Sequence, residues 1–190
     1  MSKTAKLFTP PPSAVRTRRA YFDCKFGQLH VRTAFPTTGG FDEQVTLICL
    51  HPNDASSRTF SRLLPEIADV RSVYAPDLPG HGESDPSPTG SVAEAAAAIS
   101  DLANNLRLRQ IDLLGDQFGA TVALQLAATR SELVRRLVLA RLPDAERLPV
   151  AQPCLRLDVP DREDDPWHAV SKTLAKQIGG FLSGRALTIT

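Results

Sequence analysis

The sequence is poor in cysteine, and its few cysteines argue against a domain stabilised by disulfides or by a cysteine-bound metal. Cys24, Cys49 and Cys154 are the only three in 190 residues. An odd number at wide spacing matches neither a disulfide framework nor a metal-ligand pattern. Cys49 and Cys154 each lie in an apolar run, so we expect both to be buried free thiols. Free thiols fit a reducing compartment, and the cytoplasm is the simplest assignment.

An excess of charge and a long apolar run are also missing. The 22 basic and 21 acidic residues leave a net charge of +1, too little to attract nucleic acid or an anionic membrane. No segment approaches the ~20 apolar residues of a membrane-spanning helix, and residues 1–19 lack the apolar core of a signal peptide. We therefore expect a small, weakly charged partner and no nucleic-acid or membrane partner.

Length and composition predict one domain. The chain is 42% hydrophobic and 23% charged, enough apolar material for a single core. Residues 1–19 contain Pro10, Pro11 and Pro12 and are predicted to form a flexible, extended arm. Residues 20–190 are predicted to form the domain.

Strand and helix patterns alternate along that domain. Predicted strands cover Tyr21–Phe26, Leu29–Ala34, Val45–Leu50, Val73–Ala75, Ile111–Leu114, Leu137–Ala140 and Cys154–Leu157. Predicted helices cover Ser56–Ala68, Ser91–Leu106, Gln117–Ala128 and a last segment that starts at Pro166. This order predicts an α/β fold: a three-layer sandwich with a mostly parallel sheet and helices on both faces. Ligands of such sheets bind at the carboxyl ends of the strands.

Three loops at those strand ends carry recognisable motifs. They read Leu-His-Pro-Asn-Asp-Ala-Ser-Ser over 50–57, Asp-Leu-Pro-Gly-His-Gly-Glu-Ser-Asp over 77–85, and Gly-Asp-Gln-Phe-Gly over 115–119. Their order and spacing resemble the α/β-hydrolase fold superfamily, from about Tyr21 to Leu142 and more weakly over 153–182. The resemblance is nearest to its cofactor-free hydrolases, which cut esters, thioesters or carbon–carbon bonds in small molecules.

Gln117 occupies the position at which this superfamily keeps its catalytic nucleophile. The segment 115–119 resembles the nucleophile elbow Gly-x-Ser-x-Gly in everything but its serine. A side-chain amide does not ionise near neutral pH, has no useful nucleophilicity and cannot form an acyl-enzyme. Asp116 could serve as an aspartate nucleophile if the motif slipped by one residue, but Phe118 and Gly119 argue against that register.

The resemblance also implies an oxyanion hole. Its first donor would be the N–H of Phe118, and its second would come from the loop of His51, Pro52 and Asn53, with Asn53 as the expected donor. Pro52 replaces the usual glycine of this loop and has no N–H, so the shape of the loop is expected to differ.

The remaining members of a catalytic triad are weakly represented. His168 is the one histidine near the expected place of the base, and a surface position at the start of a helix is the competing interpretation. His30, His51 and His81 are interpreted as structural histidines. The acidic member would lie beyond the strand 154–157, where the candidates are Asp158, Asp161, Glu163, Asp164 and Asp165.

Two family features have no room in this sequence. A helical cap usually follows the strand 137–140, but only Arg141 to Gln152 intervene before the next strand. The segment from Asp158 to Pro166 is too short for the last strand of the sheet and its helix. The uncovered sheet edge and pocket mouth predict a homodimer. No metal cluster, phosphate loop or dinucleotide fingerprint is present, so no cofactor is expected.

Three functions remain open on this evidence. The first is a degenerate member of the superfamily, a pseudoenzyme that binds a small molecule or a protein partner. The second is an enzyme that uses Gln117 as a hydrogen-bond donor to a carbonyl or oxyanion, and the third is an active hydrolase with an unrecognised nucleophile.

Overall fold

Seven strands form one mixed sheet in the computed structural model, which describes residues 15, 17–37, 44–142, 149–157, 159, 167 and 171–184. They are β1 (Thr17–Cys24), β2 (Gly27–Ala34), β3 (Leu47–Leu50), β4 (Val73–Pro76), β5 (Ile111–Asp116), β6 (Val134–Ala140) and β7 (Cys154–Leu157). Their order in the sheet is β1-β2-β4-β3-β5-β6-β7. The pairs β1–β2 and β2–β4 are antiparallel, and all other pairs are parallel. The predicted mostly parallel sheet is confirmed.

Helices cover both faces of this sheet. They are α1 (Leu63–Ile67), α2 (Val92–Asn105), α3 (Phe118–Thr129) and α4 (Ser171–Leu182). Successive side chains of β3 point to opposite faces of the sheet and show the two helical layers. Ile48 and Leu50 belong to the apolar cluster of α2 and α3. Leu47 and Cys49 join the cluster of α1 and α4 on the opposite face. A strand buried on both faces must be apolar throughout, and the predicted three-layer architecture is confirmed.

Several elements differ by a few residues from their predicted bounds, and two of the differences have a clear physical cause. The helix expected over 56–68 is a 3-10 helix, Ser57–Phe60, followed by the short α1. Pro65 explains the break, since it lacks the N–H that a continuous helix would direct at the carbonyl of Ser61. At the other end of the sheet, β1 begins at Thr17, inside the predicted N-terminal arm, because Thr17 pairs with Ala34 of β2.

The sheet ends at β7 within the described part of the chain. Strand β6 ends at Ala140 and β7 begins at Cys154; residues 143–148 between them, where the family places its cap, lie outside the described residues. Cys49 is buried as predicted, but the prediction for Cys154 is wrong, since this thiol is exposed. Cys154 lies on an edge strand, whose outer side no described neighbour covers. The predicted helix start at Pro166 and the segment 187–190 lie outside the described residues.

Candidate functional site

The turn between β5 and α3 holds Gln117 in a strained backbone conformation. Its φ is 49° and its ψ is −113°, a region that residues other than glycine rarely adopt. Hydrogen bonds on both sides hold it there: its N–H donates to Ala140 O at 3.0 Å, and its carbonyl accepts from Ala120 N at 2.9 Å. The position therefore has the elbow geometry that the motif predicts, with glutamine at its apex.

The two flanking glycines allow strand and helix to approach closely. A Cβ atom on Gly115 would lie 2.6 Å from Ala120 N, and one on Gly119 would overlap the carbonyl of Leu50 at the end of β3. Both obstacles are backbone and cannot rotate away. The absence of side chains at these two positions brings the first turn of α3 against the loop that follows β3.

The side chain of Gln117 is available for a ligand. It is half-buried and makes no hydrogen bond with any described residue. The N–H of Phe118 belongs to the first turn of α3, where N–H groups have no acceptor within the helix. The apex of the elbow thus presents an amide together with a backbone donor at the positive end of a helix dipole.

Asp116 is occupied by other groups, although it precedes the apex directly. Its side chain is fully buried. Arg141 donates to its two oxygens at 2.8 and 2.7 Å, and the Trp167 indole N–H donates to Oδ2 at 2.9 Å. A carboxylate in a buried ion pair with a tryptophan donor is a stabilised anion and a weak nucleophile, which argues against the slipped register.

The loop after β3 is anchored by a neutral histidine. His51 is fully buried; its Nδ1–H donates to Pro52 O at 2.7 Å, and its Nε2 accepts from Leu78 N at 2.9 Å. Burial lowers the pKa of His51 to about 4, so the ring is uncharged near neutral pH. Its two nitrogens serve the backbone and are not free for chemistry. Beyond it, Pro52 is half-buried and Asn53 is exposed.

The loop after β4 is organised around Asp77. Its carboxylate accepts from Ser57 N at 2.6 Å, Glu83 N at 2.9 Å and the His30 ring at 2.8 Å. Burial alone would raise the pKa of Asp77, but these hydrogen bonds lower it on balance. A Cβ on Gly82 would overlap this carboxylate. Asp77 therefore stays charged and holds the loop that carries His81.

His81 brings this second loop to the elbow. Its Nε2 lies 3.3 Å from Asn53 Oδ1, and its Nδ1 lies 3.1 Å from Pro79 O. Its ring centroid is 5.2 Å from that of His51 and 6.2 Å from that of Phe118. The structure thus brings Asn53, His81 and the elbow residues together.

Some predicted site residues lie outside the described part of the chain, and other site residues were not foreseen. His168 and the candidate carboxylates Asp158, Asp161, Glu163, Asp164 and Asp165 belong to the first group. Arg141 and Trp167 belong to the second, because their contacts with Asp116 join loops far apart in sequence. Two weak signals point to them: Arg141 directly follows an apolar strand, and Trp167 is the single tryptophan of the chain.

A metal-binding cluster and a membrane-spanning helix are both absent from the described ranges. No group of three or more histidine, cysteine, aspartate or glutamate side chains there is placed to hold a metal ion. No helix among the same residues combines the length and apolarity needed to cross a membrane.

Comparison with known proteins gives one family and several relatives. The model of the family described as the alpha/beta hydrolase fold matches residues 45–185. The pimeloyl-[acyl-carrier protein] methyl ester esterase of Neisseria meningitidis is 36% identical over 140 residues, which cover 72% of this chain and 47% of the esterase. The uncharacterized protein Rv2715 of Mycobacterium tuberculosis is 32% identical over 131 residues, 68% of this chain and 35% of that protein. The chain thus spans less than half the length of these relatives.

A solved structure supports the same likeness. The N-acyl homoserine lactonase AidH, in a mutant complexed with N-hexanoyl homoserine, superposes with a TM-score of 0.59 and 25% sequence identity. The match covers 67% of this chain and 46% of the lactonase.

Proposed function

Because this chain belongs to the α/β-hydrolase fold family, we propose that it is a member that binds a small acyl compound at its elbow without forming an acyl-enzyme. The observation that carries the proposal is the apex of the elbow. Gln117 has the nucleophile's strained backbone geometry, but its side chain is an amide that cannot attack a carbonyl carbon. The elbow therefore has groups that can hydrogen-bond a ligand but no nucleophile at its apex that could form an acyl-enzyme.

The ligand class follows from the groups that meet at the elbow. The Gln117 side chain offers a hydrogen-bond donor and an acceptor. The adjacent Phe118 offers a backbone N–H and an apolar aromatic ring. These groups suit a carbonyl or carboxylate oxygen at the end of a short acyl chain. Two similar proteins, a pimeloyl-[acyl-carrier protein] methyl ester esterase and an N-acyl homoserine lactonase, are named for acyl compounds.

A second candidate is an enzyme that uses Gln117 to stabilise an oxyanion. The amide of Gln117, which has no partner among the described residues, precedes the Phe118 N–H and favours this candidate, since two donors that meet at one oxygen make an oxyanion hole. Conventional hydrolysis through Asp116 is less well supported, because Arg141 and Trp167 already bind both carboxylate oxygens. The predicted homodimer and cytoplasmic location stay predictions.

The first test is reaction with a fluorophosphonate, which labels activated serine nucleophiles. Intact mass after incubation is expected to be unchanged, because the apex residue is an amide. The matched variant is Gln117→Ser, which restores the hydroxyl without an evident base, so we expect its labelling to be slow. A stoichiometric adduct on the unaltered protein, mapped to residues 115–119, would rule out the non-acylating proposal.

A second test measures binding of an uncharged acyl compound. Hexanamide is expected to bind the unaltered protein and to bind Gln117→Ala about two- to tenfold more weakly, as expected from the loss of one neutral hydrogen bond. Isothermal titration calorimetry gives both affinities. The control is Gln125→Ala on α3, outside the elbow, which should leave the affinity unchanged. Equal affinity of all three proteins would place the ligand elsewhere.

A further inference from the structure

Three arginine side chains lie beside the loop that follows β4. Arg19 of β1 and Arg32 of β2 are cross-strand partners, so their side chains leave the sheet on the same face. This is the face of α1 and α4, because Ala34, two residues after Arg32, belongs to their apolar cluster. Arg58 lies in the 3-10 helix before α1. Its Nη2 is 3.8 Å from Glu83 Oε1, the oxygen that Arg19 Nη1 approaches to 3.7 Å. These three arginines are called the arginine cluster below.

The backbone beneath the arginine cluster is held by a buried carboxylate. Asp77 accepts a hydrogen bond from Ser57 N at 2.6 Å and another from the His30 ring at 2.8 Å. Ser57 directly precedes Arg58 in the 3-10 helix. His30 lies two residues before Arg32, on the same face of β2. Asp77 therefore ties the 3-10 helix to β2 and keeps the backbones that carry two of the arginines together.

The guanidinium groups of the cluster have hydrogen-bond donors that no acceptor uses. Arg19 and Arg58 approach Glu83 only to ion-pair distances, which are too long for hydrogen bonds. Glu83 instead accepts from the Tyr21 hydroxyl at 2.8 Å. Arg32 is half-buried, and its buried Nε has no hydrogen-bond partner in the described part of the chain. Each guanidinium has five N–H donors and keeps its charge throughout the physiological pH range, so the cluster needs no change of protonation to bind an anion.

Positive charge exceeds negative charge around these donors. Within the described ranges, Glu83 is the one carboxylate in ion-pair contact with the cluster, and the nearby Asp77 accepts hydrogen bonds from three donors of its own. Arg19 and Arg32 face each other directly, and like charges in that arrangement repel. A buried N–H without an acceptor also costs stability. An anion held between these side chains would remove both costs.

We propose that the arginine cluster is a binding site for a phosphate group. A phosphate carries close to two negative charges at pH 7.5, and its oxygens can accept from more than one guanidinium at once. A single carboxylate brings one charge, and Glu83 already supplies a group of that kind. This site lies apart from the apex of the elbow, so it adds a second ligand to the one proposed above and does not depend on it.

The experiment measures binding of inorganic phosphate by isothermal titration calorimetry at pH 7.5 and constant ionic strength, with one phosphate expected per chain. Arg32→Gln should bind about tenfold more weakly or worse, because it loses charge-assisted hydrogen bonds. Arg32→Lys keeps the charge but lacks the planar fork of donors, so an intermediate affinity is expected. Glu83→Gln removes a competing carboxylate and should bind about two- to fivefold more tightly.

Methyl phosphate, titrated in the same way, identifies the source of the phosphate group. Affinity equal to or above that of inorganic phosphate would support a phosphoester as the ligand. Much weaker binding of the ester would support the free ion, because the methyl group then blocks an oxygen that the guanidinium groups need.

Thermal unfolding without phosphate separates a binding role of Arg32 from a structural one. Its guanidinium Nε has no partner among the described residues, and the charge faces that of Arg19. Arg32→Gln is therefore expected to keep or raise the melting temperature while it weakens phosphate binding. An arginine that stabilises the fold would show the opposite change, a lower melting temperature on replacement.

The control variant is Arg109→Gln, which removes a positive charge from an exposed residue just before β5 and should leave phosphate affinity unchanged. Equal weakening by Arg109→Gln and Arg32→Gln would show unspecific attraction and overturn the site. Absence of saturable binding to the unaltered protein, weaker binding to Glu83→Gln, or a clear loss of thermal stability in Arg32→Gln would also overturn it. None of these results bears on hexanamide binding at the elbow, which tests the proposed function separately.

Discussion

Replacing Gly119 with alanine is expected to lower the free energy of unfolding by about 3 kcal/mol, the upper part of the usual range for overpacked sites. The added Cβ would overlap the carbonyl of Leu50 and lie 2.8 Å from that of His51. Both atoms belong to the backbone where β3 ends, so α3 must move away from the sheet. In a domain of this size, the loss corresponds to a fall in melting temperature of about 10 °C. Differential scanning calorimetry measures it.

The matched control is Gly179→Ala in α4. A Cβ at this position meets no atom within 4 Å, and alanine is the better helix former by about 1 kcal/mol. This variant is expected to be unchanged or slightly more stable. If Gly119→Ala were as stable as Gly179→Ala, the close approach of α3 to the loop after β3 would be incorrect, and with it the geometry of the elbow.

Replacing Asp112 with asparagine is expected to cost about 3–5 kcal/mol, because it leaves a buried arginine without its counter-charge. Arg71 is fully buried and donates to Asp112 Oδ2 at 3.0 Å. Arg135 donates to the same carboxylate and to the carbonyl of Leu182 at the end of α4. Chemical denaturation measures the loss of stability, and hydrogen exchange should show faster opening of α4.

The control for Asp112→Asn is Glu132→Gln, which breaks an ion pair with Arg130 at the surface. The two side chains of that pair are 66% and 37% exposed, and exposed pairs contribute less than about 1 kcal/mol. A similar small loss for both variants would contradict the view that Asp112 compensates buried charge. A large loss for Asp112→Asn alone would support it.

The order of elements could be predicted because each depends on a short stretch of chain. The apolar runs of β3 and β5 predict buried strands, and Ser91 marks the start of α2, where its hydroxyl accepts from Glu94 N at 3.3 Å. Bounds were less accurate where a distant partner extends an element, as Ala34 does for Thr17. The helix predicted over 56–68 is divided because Pro65 cannot donate a backbone hydrogen bond.

The candidate site could be predicted in its backbone but less well in its side chains. Gly115, Gly119 and their spacing mark the elbow, because only residues without a Cβ permit this approach of strand and helix. The occupation of Asp116 was not foreseen, since Arg141 and Trp167 lie 25 and 51 residues along the chain. The contact of His81 with Asn53, 28 residues away along the chain, could not be foreseen either.

The sequence by itself determined the fold class, the family resemblance and the presence of glutamine at position 117, where the family keeps its nucleophile, because periodicity, glycine spacing and residue identity are local properties. Only the tertiary structure decided which charges are paired and which polar groups stay free. The two aspartates of β5, Asp112 and Asp116, form buried ion pairs with arginines. The amide of Gln117, the next residue, has no partner among the described residues. Such partners come from distant segments that the packing of the sheet and its helices brings together, and a buried charge persists only where that packing supplies its counter-charge.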